Sequence, residues 1–236
     1  MVILEGFAYR QGQLIYDIKA NRLEIKPKRQ YRVPTNSHHR FRKHKNLIEG
    51  LDINKPEQVW VSDITYIGSR TIPLYHSLVT DAYSKKIMGY NLSETMAVEV
   101  SLKALKMALK ERRHRTHPLI HHSDRGLQYC SNEYQSVLKR NNITPNMNES
   151  YDPYVNAVAE RVNGILKDEF MIEKYALNKD LMELYVKDSI NKYNRIRPLY
   201  SCFMLTPEEM HSQNLINIRF YKKKSISLET SFQTYG

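Results

Sequence analysis

The first regular pattern along the chain is a succession of three segments with the composition of β-strands. The segment from Gln58 to Ile67 is rich in β-branched and aromatic residues, which favour strands. Two similar segments follow at about 72–81 and 86–93, separated by the short polar turn Ser84-Lys85. Three strands joined by short links predict an antiparallel meander.

Beyond this meander the pattern changes to helical spacing. Between Ala97 and Arg113, apolar residues recur every three or four positions and lysines occupy the other side, which predicts an amphipathic helix. The rest of the pattern predicts a strand at Leu119-Ile120, a helix at 132–140, a strand around Ile143, and helices at 155–170 and 181–193. This element order is that of a ribonuclease-H-like fold. We therefore predict an α/β protein with a ribonuclease-H-like mixed sheet of about five strands, flanked by helices, and a basic N-terminal arm.

The positive charge of the chain is concentrated before this pattern begins. The formal net charge is +11, and the stretch from Lys19 to Lys45 contributes +9 of it, with ten basic residues against the single acid Glu24. Such a stretch is either a solvated tail or a segment that binds a polyanion. We predict three parts: a basic arm at 1–52, a core at 53–211, and a C-terminal tail at 212–236.

Composition excludes several classes of protein. No run of eighteen apolar residues occurs, and the first residues lack the pattern of a secretory signal, so a membrane or secreted protein is not expected. Cys130 and Cys202 lie far apart and outside any metal-binding pattern, so neither a disulfide nor a structural zinc site is predicted. We expect a protein of a reducing, intracellular compartment such as the cytoplasm.

Three acidic residues suggest a site for divalent cations. Asp63 lies inside the first predicted strand, Asp124 follows a short strand at a turn, and Glu160 lies on a predicted helix, 35 residues after Asp124. Phosphodiester chemistry uses carboxylate clusters to hold two hard cations such as Mg²⁺. Each acid alone has an ordinary structural alternative, as a strand acid, a helix-capping residue or a solvated helix charge.

Four sequence segments together resemble a known family. VWVSDITYI, HHSDRGLQY, NAVAERVNGILKDEF and YNRIRPLYS, followed by LTPEEMH, are similar in content and order to the integrase-core transposases of bacterial insertion sequences of the insertion-sequence-three family. The resemblance covers about residues 55–211. It implies a DDE-type polynucleotidyl transferase that cleaves transposon ends and joins them to target DNA, with two Mg²⁺ or Mn²⁺ ions held by Asp63, Asp124 and Glu160.

The resemblance also implies a location, partners and contacts. It makes residues 53–211 the catalytic core and the arm at 1–52 a partial remnant of a DNA-binding region, in a cytoplasmic protein associated with the bacterial nucleoid. We expect binding to double-stranded DNA at transposon ends and target, a homo-oligomer on DNA, and a helix-turn-helix partner subunit of the same element, because only about residues 31–47 resemble the segment that usually precedes the core. The residues that we expect to contact DNA are Lys167, Asn156, Arg125, Arg161, Arg195, Arg197, Arg40, Arg42 and Lys43.

Several alternatives stay open. Asn146, Tyr151, Val155 and Leu199 depart from the residues that the family usually has at these positions, so the chain is either an active transposase, an inactive DNA-binding remnant, or a nuclease of the same fold. His121 and His122 invite a role as general base or metal ligand, but the metals can activate the attacking oxygen without them. Asp81 we interpret as structural.

Overall fold

The computed structural model describes residues 2–4, 7–9, 20, 47–48, 50–68, 73–124, 126–147, 153–174 and 178–213. The chain divides into two units, residues 1–36 and 37–236. Within the first unit, β1 (Val2–Leu4) and β2 (Phe7–Tyr9) pair as an antiparallel hairpin. Most of the predicted basic arm, including Arg40, Arg42 and Lys43, lies outside the described residues, as does the predicted tail from residue 214.

The second unit is built on a five-stranded mixed sheet, which confirms the predicted fold class. Its strands are β3 (Val59–Gly68), β4 (Pro73–Asp81), β5 (Ile87–Ser93), β6 (Leu119–Ser123) and β7 (Ile143–Asn146). The order across the sheet is β5-β4-β3-β6-β7. The first three strands form the predicted antiparallel meander, whereas β6 and β7 are parallel to β3.

Helices cover both faces of this sheet. They are α1 (Val98–Glu111), α2 (Leu127–Cys130), α3 (Asn132–Arg140), α4 (Pro153–Asp168), α5 (Lys179–Arg195) and α6 (Pro207–Ser212), with a short 3₁₀ helix at Tyr200–Cys202. No described helix is long and apolar enough to span a membrane.

The two faces follow from the alternation of side chains along β3. Trp60 packs with α1 and α3 residues such as Leu105 and Leu138. Val59 and Val61 point to the other face, where they pack with Ala159 of α4, because successive side chains of a strand alternate between faces. Asp63 therefore lies on the α4 face of the sheet, in the middle of β3 and two residues after Val61.

Local sequence explains where the helices begin. The side chains of Ser131 and Asn178 accept hydrogen bonds from the backbone N–H groups of Tyr134 and Leu181, at the starts of α3 and α5. Thr206 and Glu209 form a reciprocal capping box at the start of α6. These caps satisfy N–H groups that have no partner inside the helix.

Two boundaries differ from the sequence expectation. The strand predicted at Leu119-Ile120 extends to Ser123, because His121, His122 and Ser123 take part in the ladders between β3, β6 and β7. Ile48 is buried and packs with Val59 and Ala159, so the packed core reaches back to residue 48, before the predicted boundary at 52/53.

Candidate active site

Strand register places two of the three predicted acids side by side. In the parallel pairing of β3 and β6, Ser62 lies opposite Ser123. Asp63 and Asp124 are the next residues after this pair on β3 and β6. They therefore occupy equivalent positions on the two neighbouring strands. Neighbouring parallel strands lie about 4.8 Å apart, and the two carboxylates therefore share one edge of the sheet.

Glu160 comes to this edge from a helix. It is exposed on α4, which packs against β3 through the buried residues Ala159 and Val162. The apolar side of this helix faces the core, because Val158, Val162, Ile165 and Leu166 are all buried. Glu160 is therefore exposed on a helix that packs over the face carrying Asp63, close enough for its charge to act on that residue.

The electrostatics of Asp63 depend on both other acids. Burial raises the pKa of Asp63, and the negative charges of Asp124 and, more weakly, Glu160 raise it further, to about 6. Hydrogen bonds from the Ile64 backbone and the Asn163 side chain act in the opposite direction. The surroundings of such a carboxyl group stabilise its ionised form less well than water does. A bound cation would supply the missing positive charge.

Asn163 fixes the position of the Asp63 side chain. Its Nδ2 donates a hydrogen bond of 2.7 Å to Oδ2 of Asp63, and its own Oδ1 is buried without a hydrogen-bond partner among the described residues. Sequence analysis missed Asn163. The available signal was its place on α4, three residues after Glu160, where side chains lie on the same side of the helix.

The turn after β6 fixes Asp124. Its Oδ1 accepts a hydrogen bond of 3.0 Å from the backbone N–H of Gly126. A Cβ on residue 126 would lie 3.0 Å from that same oxygen and 2.8 Å from Oε1 of Gln128. A Cβ at this position would make these two side-chain ends shift, so glycine leaves the most room for the backbone to approach the carboxylate.

The chemistry of the donor set fits hard divalent cations, since carboxylate oxygens are the ligands that Mg²⁺ and Mn²⁺ prefer. Among the described residues, however, no three His, Cys, Asp or Glu side chains already stand close enough together to hold a metal ion. The three acids are thus coupled through their charges without forming a closed ligand cage. Metal binding at this site would include rotation of the exposed Asp124 and Glu160 side chains.

The residues predicted to contact DNA lie in different surroundings. Lys167 donates to the carbonyl of Tyr66 at 2.8 Å and pairs with Glu173 at 2.5 Å. Arg197 makes a bidentate pair with Glu169, with both N···O distances 2.6 Å. Arg161 and Arg195 are exposed on α4 and α5. Arg125 and the side chains of Asn156, Tyr151 and Val155 lie outside the described residues.

The two histidines of β6 are buried in hydrogen-bonded surroundings. Nε2 of His121 lies 2.7 Å from Oγ of Ser62 and 2.9 Å from the hydroxyl of Tyr134, and burial lowers the pKa of His121 to about 3. Nδ1 of His122 lies 3.1 Å from Nδ2 of Asn146. Oδ1 of Asn146 in turn accepts a hydrogen bond from the backbone N–H of Leu47. Asn146, one of the atypical residues, thus joins β7 to the segment before the core.

Asp81 stands at the centre of a buried polar network, as its structural interpretation predicts. It accepts hydrogen bonds from the Glu57 backbone and from both the backbone and hydroxyl of Ser84, at 2.7–2.8 Å. His211 of α6 lies 2.9 Å from the Ser84 hydroxyl and 3.5 Å from Oε1 of Glu57. Leu199, another atypical residue, is buried and pairs with Leu205.

Comparisons with known proteins agree with this architecture. Two family models, both described as integrase core domain, match residues 53–153 and 141–207. Among solved structures, the integrase catalytic core domain of HTLV-2 in complex with magnesium superposes with a TM-score of 0.53 at 17% identity, over 71% of this chain and 99% of that chain. A simian T-cell lymphotropic virus intasome gives 0.59 at 20% identity, over 77% of this chain and 62% of that chain.

Relatives in bacteria are similar in sequence over most of the chain. The transposase InsF for insertion sequence IS3fB of Escherichia coli (strain K12) is 32% identical over 213 residues, which are 89% of this chain and 74% of the relative. The insertion element IS600 uncharacterized 31 kDa protein of Shigella sonnei is 36% identical over 76% of this chain and 66% of the relative. The chain therefore belongs to the insertion-sequence-three family of integrase-core transposases, polynucleotidyl transferases of the DDE class that act in DNA transposition.

Proposed function

We propose that Asp63, Asp124 and Glu160 are the catalytic residues with which this chain cleaves transposon ends and transfers the strands into target DNA. The observation that carries the proposal is the strand register, which places Asp63 and Asp124 at neighbouring positions on β3 and β6, with α4 joined to Asp63 by the Asn163 hydrogen bond. The raised pKa of Asp63, to which the charges of both other acids contribute, agrees with this arrangement. Three acids from β3, β6 and α4 thus act on one another although they are remote in sequence. Such coupled, perturbed carboxyl groups are typical of functional sites.

The three carboxylates would hold two Mg²⁺ or Mn²⁺ ions. When bound, such a pair of ions activates the attacking oxygen and neutralises the leaving oxygen of the phosphodiester. The task of the protein is to keep the carboxylates oriented and ionised. Asn163 restrains Asp63 through its 2.7 Å hydrogen bond, and the backbone of Gly126 restrains Asp124. Asn163 is therefore a positioning residue for the site.

The DNA contacts belong to the same proposal. Lys167 and Asn156 lie on the helix that carries Glu160, and we propose that they face the phosphates of the transposon end. Arg125 and Arg161 neighbour the catalytic acids in sequence, Arg195 and Arg197 end α5, and Arg40, Arg42 and Lys43 belong to the basic arm at 1–52. Lys167 and Arg197 would have to exchange their present partners, Glu173 and Glu169, for phosphate.

Partners follow from family membership. We propose that the chain assembles as a homo-oligomer on double-stranded DNA. We further propose that a helix-turn-helix subunit of the same element recognises the transposon ends.

A direct test of the metal site uses Mn²⁺ alone. Mn²⁺ should raise the melting temperature of the wild type more than that of Asp63→Ala, since a ligand that binds the folded state stabilises it. Asp52→Asn, an exposed acid outside the site, serves as the matched control and should respond like the wild type. Equal responses of the wild type and Asp63→Ala would contradict the metal site.

A second test addresses catalysis. The full chain should convert labelled duplexes, taken from the ends of its own element, to cleaved and joined strands in the presence of Mg²⁺, and Asp124→Asn should abolish both products. Cleavage without joined strands would instead indicate a nuclease. A wild type no more active than Asp124→Asn, in a protein that still binds DNA, would favour the inactive remnant, which the residues Asn146, Tyr151, Val155 and Leu199 suggest as the second candidate.

A further inference from the structure

The outer side of α1 carries a row of lysines. Lys103, Lys106 and Lys110 are all exposed, whereas Leu102 and Leu105 on the inner side are buried against the sheet. The three lysines are separated by three and four residues, so they form one stripe along the helix. At 1.5 Å per residue the stripe is about 10 Å long.

The row continues beyond the end of the helix. The buried Arg112 donates from Nη1 to the carbonyl of Asn141 and from Nη2 to the carbonyl of His117, at 3.0 and 2.7 Å. These bonds hold the segment after α1 beside the C-terminal end of α3. The exposed residues Arg115, Lys139 and Arg140 therefore extend the stripe. The α1 basic surface, as we name it, comprises Lys103, Lys106, Lys110, Arg115, Lys139 and Arg140.

Within the part of the chain that the structure describes, none of the six basic side chains of this surface has a carboxylate within 4.0 Å. Two lysines of α5 behave differently: Lys179 pairs with Glu183 and Lys192 with Asp188, each four residues away. A merely solvated helix face commonly has such internal pairs.

Helix dipoles account for part of the surface only. Lys110, Lys139 and Arg140 lie in the last turns of α1 and α3, where positive charge is favourable on its own. Lys103 and Lys106 lie one to two turns earlier, and Arg115 lies beyond the helix. The dipole effect is confined to the terminal turn, so it does not explain these three residues.

The α1 basic surface is separate from the catalytic acids. Residues of α1 pack with Trp60 on one face of the sheet, whereas α4, which carries Glu160, packs with Val59 and Val61 on the other. A duplex lying along α1 therefore occupies a different side of the core from a phosphodiester bound at Asp63.

We propose that the α1 basic surface binds the phosphate backbone of duplex DNA, without sequence preference, as a second DNA site of this chain. Duplex DNA carries one phosphate per strand about every 3.4 Å along its axis, so the lysine stripe spans about three phosphates of one strand. The inference rests on the proposed function only in taking DNA as the ligand, and it does not require catalysis.

The test measures the salt dependence of binding. The full chain is titrated onto a labelled 30-bp duplex of random sequence, in EDTA, so that the outcome does not depend on the catalytic acids or on metal. The triple variant Lys103→Gln, Lys106→Gln, Lys110→Gln removes three charges. If each contacts a phosphate, the slope of log K against log salt should become less steep by about 2.7, at about 0.9 per phosphate contact.

Two further triple variants make the result decisive. The first removes the same charge from α5 through Lys179→Gln, Lys187→Gln and Lys192→Gln. It should leave the slope within about 0.5 of the wild type. Lys103→Arg, Lys106→Arg, Lys110→Arg keeps the charge and should keep the slope. An α1 glutamine variant with a wild-type slope, or with the same loss as the α5 control, would overturn the proposal. Circular dichroism melts verify that each variant is folded.

Discussion

At the scale of single residues, the chemistry of the site is set by what surrounds Asp63. Its carboxylate is held by one hydrogen bond from Asn163 while two further acids oppose its ionisation. This environment is unfavourable to the folded metal-free protein, because the ionised group is less well compensated than it is in water. Function and stability therefore make opposite demands on this one side chain.

We predict that Asp63→Asn stabilises the metal-free protein above pH 6. The raised pKa means that the folded state favours the protonated carboxyl, so its contribution to stability is present below the unfolded pKa of about 3.9 and is lost as the pH rises through about 6. At pH 8 the variant should gain up to about 3 kcal/mol in the free energy of unfolding, measured with urea in EDTA.

At pH 4 the same substitution should have little effect, and Asp52→Asn should have little effect at either pH. A variant as stable as the wild type at pH 8 would mean that Asp63 is compensated by groups other than a metal. In the wild type, stabilisation by Mn²⁺ should be weaker at pH 5 than at pH 8, because metal ligands must be deprotonated.

Sequence anticipated the acids but not the residues that orient them. Asp63, Asp124 and Glu160 lie in sequence segments that resemble a family, and each has a chemical reason to be there. Asn163 lies in the same family-like segment as Glu160, but its role could not be inferred from the sequence because it depends on a hydrogen bond between residues one hundred positions apart. The same holds for Ser62 and Tyr134, which surround His121 only after β6 has paired with β3.

At the scale of elements, close packing of α1 on the sheet depends on one glycine. A Cβ on residue 89 would lie 2.1 Å from the carbonyl oxygen of Ala104 and 2.6 Å from the backbone nitrogen of Ala108. Both atoms belong to the helix backbone, which cannot move aside as a flexible side chain can. Gly89 thus sets the distance between α1 and β5. The strand patterns in the sequence do not reveal this close approach.

We predict that Gly89→Ala lowers the free energy of unfolding by about 3 kcal/mol, because α1 must shift away from β5. The matched control is Gly164→Ala in α4, where an added Cβ meets nothing within 4 Å. Alanine is the better helix former, so the control should gain about 1 kcal/mol. Urea unfolding of both variants measures the contrast, and a neutral Gly89→Ala would disprove the close approach.

The attachment of α6 depends on ionised buried groups. Burial alone lowers the pKa of His211, but the carboxylates of Asp81 and Glu57, 3.8 and 3.5 Å from its ring nitrogens, outweigh burial and leave it raised. Burial likewise raises the pKa of Glu57, but His211 and the backbone N–H groups of Arg113 and His114 lower it to about 2. His211 and Glu57 are therefore stabilised in their charged forms, although they come from distant parts of the chain.

We predict a pH-dependent effect of His211→Gln. The stabilisation from His211 is present below its unfolded pKa of about 6.5 and is lost as the pH rises through the higher folded pKa, whereas that from Glu57 is lost as the pH falls from about 4.5 towards 2. At pH 6 the variant should lose about 3 kcal/mol in urea unfolding, and less at pH 9. His114→Gln, at an exposed position, is the control and should show no such difference between the two pH values.

At the scale of the whole molecule, the strand and helix order was predictable because each element has its own periodic signal. The meander, the amphipathic α1 and the buried side of α4 all occur where the pattern indicates. The extension of β6 to Ser123 was not predictable, because it replaces apolar residues by histidines that become buried through long-range pairing. The start of the core at Ile48 was not predictable for the same reason. A single apolar residue within a charged stretch can be assigned to the core only once its packing partners are known.

The position of Ile48 also determines how the basic arm should be separated from the core. Removing residues 1–46 deletes the stretch of +9 but keeps Ile48 and its contacts with Val59, so the truncated protein should remain folded. If the arm supplies most of the phosphate contacts, the slope of log K against log salt should become less steep by several units, at about 0.9 per contact. Combining the truncation with the glutamine triple of α1 should add its own loss of about 2.7, because the two sets of charges neutralise different phosphates. An unchanged slope after truncation would instead assign DNA binding to the core alone.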